Sequence, residues 1–86
     1  MIIGVNTSHK SNDKDYHIQI EDLGDPKNSL EARIYCQGSI IWQKRLPYKD
    51  GILNLATANE RSTAIREQMN KLVATVKAGI DQGKIK

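Results

Sequence analysis

Residues 57–80 read TANERSTAIREQMNKLVATVKAGI, and the spacing of the apolar residues within them decides the fold. Ile65, Met69, Leu72, Val73, Val76 and Ile80 are separated by steps of four, three, one, three and four, which places them in one stripe along an α-helix. Thr57 and Glu60 mark its start with the spacing of a capping box, in which the hydroxyl of one and the carboxylate of the other satisfy amides of the first turn. The predicted helix covers 57–82. Gly79 and Gly83 are rival stops, and Ile80 favours the later one because it extends the stripe. A helix striped on one side requires a surface to cover.

The preceding residues supply that surface. In 15–21, Tyr16, Ile18 and Ile20 alternate with His17, Gln19 and Glu21, the period of a half-buried strand, and Gly24-Asp25-Pro26 ends it. In 29–37, Leu30, Ala32, Ile34 and Cys36 share one face, with Glu31, Arg33 and Tyr35 on the other. A third strand over 40–46 stops at Pro47, which has no backbone donor. A three-residue loop, Gln37-Gly38-Ser39, is predicted between them. It sets Cys36 opposite Ile40, Ile34 opposite Trp42, Leu30 opposite Leu46 and Glu31 opposite Arg45, whereas a two-residue loop turns Gln43 and Arg45 toward the core. Lys44 is left on the core side and has to snorkel.

The expected fold is therefore α+β: a three- or four-stranded antiparallel β-meander over 15–48 with one long C-terminal α-helix packed on one face. Its core joins Ile18, Ile20, Leu30, Ile34, Trp42 and Leu46 to Ile65, Met69, Leu72, Val73 and Val76. The polar stretch 6–14, NTSHKSNDK, holds nothing to bury and reads as a flexible loop. The opening Met1-Ile2-Ile3-Gly4-Val5 reads as a short strand whose place in the sheet is open.

At 86 residues the chain makes one small domain. Such a domain buries only about 60–65% of its unfolded surface. With no Phe and a single Trp the core is thin, and self-association as a homodimer is expected to supplement it. One Cys permits no internal disulfide, and neither an export signal nor an apolar run of about 20 residues is present, so a cytoplasmic protein is expected with no membrane partner. The net charge of +3 is unevenly spread: residues 1–31 hold six acids and three bases, residues 32–86 four acids and ten bases.

Residues capable of chemistry are scattered. His9 falls in the polar stretch, His17 faces outward without a nucleophile beside it, and Cys36 points toward apolar partners that dull its reactivity. Asp13, Asp15, Glu21, Asp22 and Asp25 match no closed cation loop, and Asp22 and Asp25 flank Gly24 as turn residues do. Gly24, Gly38 and Gly51 each stand alone at a predicted turn, which excludes the Gly-rich phosphate loops. Neither a metal nor a cofactor is expected, and the chain reads as non-catalytic.

One constellation remains. Arg33, Tyr35, Ile41, Gln43 and Arg45 fall on the outer face of the meander, with Lys44 and Lys49 at its margin. Tyr35 and Ile41 form an exposed apolar pair flanked by charge, as protein contacts do. Cations beside an aromatic ring also suit single-stranded nucleic acid. In element order alone the layout is similar to the single-stranded-DNA-binding transcriptional coactivator fold, whose helices dimerise and whose sheets hold the strand. No motif of that family accompanies the similarity, so no residue role is carried over. The expected function is that of a homodimeric interaction module whose sheet face binds a protein partner, with single-stranded nucleic acid as the alternative ligand.

Overall fold

The structure, a computed structural model, describes residues 4–85. Its elements are β1 (Gly4–Ser11), β2 (Lys14–Asp22), β3 (Ser29–Cys36), β4 (Ser39–Pro47) and α1 (Ala58–Asp81), with a short 3-10 turn at Ile52–Asn54 ahead of the helix. The strands lie side by side in chain order, each antiparallel to the next. The fold is thus an α+β meander of four strands with one long C-terminal helix.

The stretch expected to be a loop, 6–14, is most of β1 and the turn that follows it. Asn12 and Asp13 reverse the chain with φ of 52° and 63°, the left-handed conformation that two-residue hairpin turns need and that Asn and Asp tolerate. From Ser11 opposite Lys14 to Gly4 opposite Glu21 the pairing is unbroken. The helix-side residues of β1 are Val5, Thr7, His9 and Ser11. Only Val5 among them is apolar, so no hydrophobic alternation marks the strand. Of the expected opening strand, Met1, Ile2 and Ile3 lie outside the described residues, while Gly4 and Val5 begin β1.

The hairpin between β3 and β4 departs from the predicted loop. Gln37 and Gly38 alone turn the chain, with φ of 53° and 81°, so that Cys36 faces Ser39 and Tyr35 faces Ile40. The register then shifts by one at Ile34, and beyond the shift Ile34 faces Trp42, Leu30 faces Leu46 and Glu31 faces Arg45, as predicted. Ile41 is the extra residue of a β-bulge. The bulge reconciles a tight turn with the register that the apolar pattern demands. It also exchanges two isoleucines: Ile41 packs against the core, and Ile40 is 51% exposed.

Ile18, Ile20, Leu30, Ala32 and Ile34 of the sheet and Ile65, Met69, Val76 and Ile80 of α1 are buried, joined by Ile52. Leu72, Val73, Trp42 and Leu46, expected in the same core, are half-buried. The helix backbone runs closest to β1 and β2, which leaves the helix-side residues of β4 at the margin.

Both ends of α1 are tied. Thr57 Oγ1 accepts from the Glu60 amide at 3.1 Å and donates to Glu60 Oε1 at 3.1 Å, so the N-cap is the predicted residue. The helix passes Gly79 and stops at Gly83, whose φ is 72°. The Gly83 amide donates to Ile80 O at 3.1 Å and the Lys84 amide to Gly79 O at 2.9 Å, the paired bonds of a Schellman ending. Ile85 folds back onto Gly79, where a Cβ would lie 2.9 Å from Ile85 Cδ1. That glycine is a seat rather than a stop.

Candidate functional site

Alternation along the strands turns one set of side chains toward α1 and leaves the other set uncovered by any described element. On the uncovered face, cross-strand pairing aligns Gly4, Glu21, Glu31 and Arg45 in one row, then Asn6, Gln19, Arg33 and Gln43, then Ser8, His17, Tyr35 and Ile40. Four of the five predicted site residues, Arg33, Tyr35, Gln43 and Arg45, share this face. Ile41 does not, because the bulge turns it toward the core and puts Ile40 in its place.

The first two rows are organised by Glu31. Although α1 lies on the opposite face, Glu31 is only 6% exposed. Its Oε1 accepts from Arg33 Nη2 at 2.6 Å and from Gln43 Nε2 at 3.0 Å, and its Oε2 accepts from Arg45 Nη2 at 3.2 Å. Arg33 Nη1 also lies 3.7 Å from Glu21 Oε2, which relieves the like charges of Glu21 and Glu31 facing each other across β2 and β3. Burial pushes the Glu31 carboxyl up, but the hydrogen bonds and charges of Arg45 and Arg33 outweigh burial and hold it below its ordinary value. Three predicted site residues are thus ligands of one carboxylate.

This pairing changes the electrostatics of the face. Among its strand residues Lys10, Arg33 and Arg45 are matched in number by Asp15, Glu21 and Glu31. Other bases lie elsewhere: Lys44 faces Ala32 on the helix side of the sheet, and α1 carries Arg61, Arg66, Lys71 and Lys77 beside Glu60, Glu67 and Asp81.

The third row has a different character. His17 and Tyr35 stand ring beside ring, with centroids 6.4 Å apart and planes tilted by 53°, and Ile40 faces Tyr35. His17 Nε2 lies 3.3 Å from Asn6 Oδ1. Ser8, Asp15, Gln19 and Gln37 border a shallow depression around the two rings. Alternation predicts that His17 points outward, yet its place beside Tyr35 and Ile40 depends on the strand pairing and the bulge.

His9 is not the solvated loop residue it was expected to be. It lies on the helix side of β1, and its Nε2 donates to Asp81 Oδ1 at 2.8 Å, which, with Ser11, holds the Asp81 carboxyl below its ordinary value. Cys36, a free thiol, is half-buried at the hairpin end of β3. Asp22 Oδ1 accepts from the Gly24 amide at 3.1 Å and from the Tyr48 hydroxyl. Burial and that carboxylate push the Tyr48 hydroxyl up to about 12, so Asp22 is a turn residue that also pins the chain after β4.

Among the described residues no three His, Cys, Asp or Glu side chains are grouped as a metal site requires, and no helix is long and apolar enough to cross a membrane. Comparison with known proteins yields no relative: no family model, no curated protein and no solved structure matches this chain.

Proposed function

We propose that the protein is a non-catalytic interaction module of the cytoplasm, homodimeric, whose outer sheet face binds a protein partner through Tyr35 and Ile40 with Arg33, Gln43 and Arg45 beside them. The observation that carries this reading is the buried Glu31. It engages both arginines and leaves the apolar pair as the part of the face without a polar partner. Arginines held by carboxylates, here Glu31 and Glu21, are pre-ordered and matched in charge, which suits the rim of a protein contact, and an aromatic ring beside an aliphatic side chain suits its centre.

Single-stranded nucleic acid is the competing ligand for the same face. It requires cations that exchange counterions for phosphates, and here the two arginines already have a carboxylate. Two measurements separate the ligands. A photo-crosslinking residue at position 40 should capture a defined protein adduct in cells that is lost with Tyr35→Ser, while the same probe at the exposed Leu53 captures none. Labelled random single-stranded DNA should bind no better at low salt than at moderate salt. Micromolar DNA binding that fades with salt and disappears in Arg33→Ala/Arg45→Ala overturns the protein reading in favour of nucleic acid.

A further inference from the structure

The two edges of the sheet are unequal. Among the described residues β1 and β4 each have a single neighbour, so each presents a row of unpaired backbone groups. Such edges invite pairing with another chain unless bulges, prolines or inward-pointing charges blunt them. The edge of β4 carries all three: the bulge at Ile41, Lys44 on the helix side, and Pro47 at its end. The edge of β1 has neither bulge nor proline, and its inward-pointing His9 is already held by Asp81. Its eight residues pair with β2 without a break, it contains no proline, and its one charged residue besides His9 is Lys10 on the outer face.

The hairpin geometry identifies which groups of β1 are free. In a two-residue hairpin the residues flanking the turn, here Ser11 and Lys14, exchange both hydrogen bonds, and the pattern repeats every second residue. Val5, Thr7, His9 and Ser11 are therefore bonded to β2. Gly4, Asn6, Ser8 and Lys10 direct their amides and carbonyls away from it.

We infer that this free edge of β1 is the seam of the homodimer, formed by antiparallel pairing with β1 of a second copy about a twofold axis at Thr7. The inference rests on the homodimer reading above and locates its interface. A twofold axis at Thr7 sets Gly4 opposite Lys10 and Asn6 opposite Ser8 of the partner, so all four free residues are bonded. An axis at Ser8 sets Gly4 opposite Asn12 of the turn, where it finds no strand mate. The Thr7 register also sets Thr7 against Thr7 and Val5 against His9 and apposes no like charges. The product is a continuous eight-stranded antiparallel sheet with both helices on one face and both outer faces, with Tyr35 and Ile40, on the other. One dimer thus offers its partner two copies of the proposed contact surface.

The test uses the whole chain. Ser8→Pro removes an amide that points away from β2, a substitution an edge strand tolerates, so the monomer fold keeps its β1–β2 ladder. Light scattering should give twice the chain mass for the unmodified protein and the single mass for Ser8→Pro at the same concentration, with the circular-dichroism spectrum unchanged. In a Cys36→Ser background, Thr7→Cys should form a disulfide-linked dimer on mild oxidation, because the facing residues of a non-hydrogen-bonded antiparallel pair lie about 4.5 Å apart between Cα atoms. Ser8→Cys in that background should stay unlinked. A monomeric unmodified protein, or linkage through Ser8→Cys instead of Thr7→Cys, overturns the seam as described. A dimer that survives Ser8→Pro but dissociates with Tyr35→Ser/Ile40→Ser also overturns the seam and moves the interface to the outer face. Loss of the partner adduct in a dimer that still links through Thr7→Cys removes the outer-face reading alone.

Discussion

The two faces of this sheet solve the same problem by opposite means. Toward α1, Ile18, Ile20, Leu30, Ala32 and Ile34 are sealed by Ile65, Met69, Val76 and Ile80, a dry aliphatic layer without hydrogen bonds of its own. On the other face no described element covers the strands, yet Glu31 is as well buried as Ile65 of that core, beneath the guanidinium groups and the amide that it binds. The first face is held by area removed from water, which is non-directional and insensitive to pH. The second is held by directional bonds to a charge. A four-stranded sheet with a single helix has too little apolar surface to cover both sides, and a carboxylate ringed by donors orders the side left over.

The largest expected effect breaks the first face. Met69→Ala removes a fully buried side chain and should cost about 2–5 kcal/mol in chemical denaturation, a large share of the stability of a domain this size. Leu72→Ala, at a half-buried position of the same helix, should cost visibly less. Equal losses at the two positions would mean that the helix sits differently on the sheet.

Next comes the centre of the second face. Glu31→Gln leaves two guanidinium groups without their carboxylate, but with Arg33 at 29% and Arg45 at 54% side-chain exposure both can turn to water. The expected loss is about 1–3 kcal/mol, in the range for an unsatisfied buried polar group. The pH dependence sharpens the contrast. A carboxyl held below its ordinary 4.5 binds protons more readily in the unfolded chain, so its stabilisation is complete above that value and drains as pH falls through the depressed one. The unmodified protein should lose stability below about pH 4.5 more steeply than Glu31→Gln. Parallel acid curves would show that Glu31 does not hold this face.

The smallest effect lies at the rim. Arg45→Ala removes one donor from Glu31 on an exposed side chain and should cost less than about 1 kcal/mol.

The helix face was more legible in the sequence than the outer one, for physical reasons. Apolar periodicity reports burial against apolar neighbours, and it located α1 and the inner residues of β2, β3 and most of β4, while Thr57 and Glu60 marked the helix start by local chemistry. β1 escaped because its inner face is Val5, Thr7, His9 and Ser11, a strand held by its ladder to β2 and by His9 on Asp81 rather than by apolar contact. The turn before β4 escaped because the two-residue loop that the local sequence prefers and the register that the apolar pattern prefers disagree, and only a bulge satisfies both. On the outer face the pairing of Glu31 with Arg45 was readable from the register. The convergence of Arg33 and Gln43 on the same carboxylate was not, since diagonal contacts have no signature in spacing.

The bulge also changes how the chain can tolerate a shift in length. Elsewhere in the four strands, losing one residue reverses every side chain beyond it, from the dry face to the wet one. Ile41 is the exception, because its removal leaves Ile40 facing Tyr35 and Trp42 facing Ile34 in a regular two-residue hairpin. A single-codon deletion there should preserve both faces of the sheet, and chains descended from a common ancestor with this one can differ in length at that point without differing in fold.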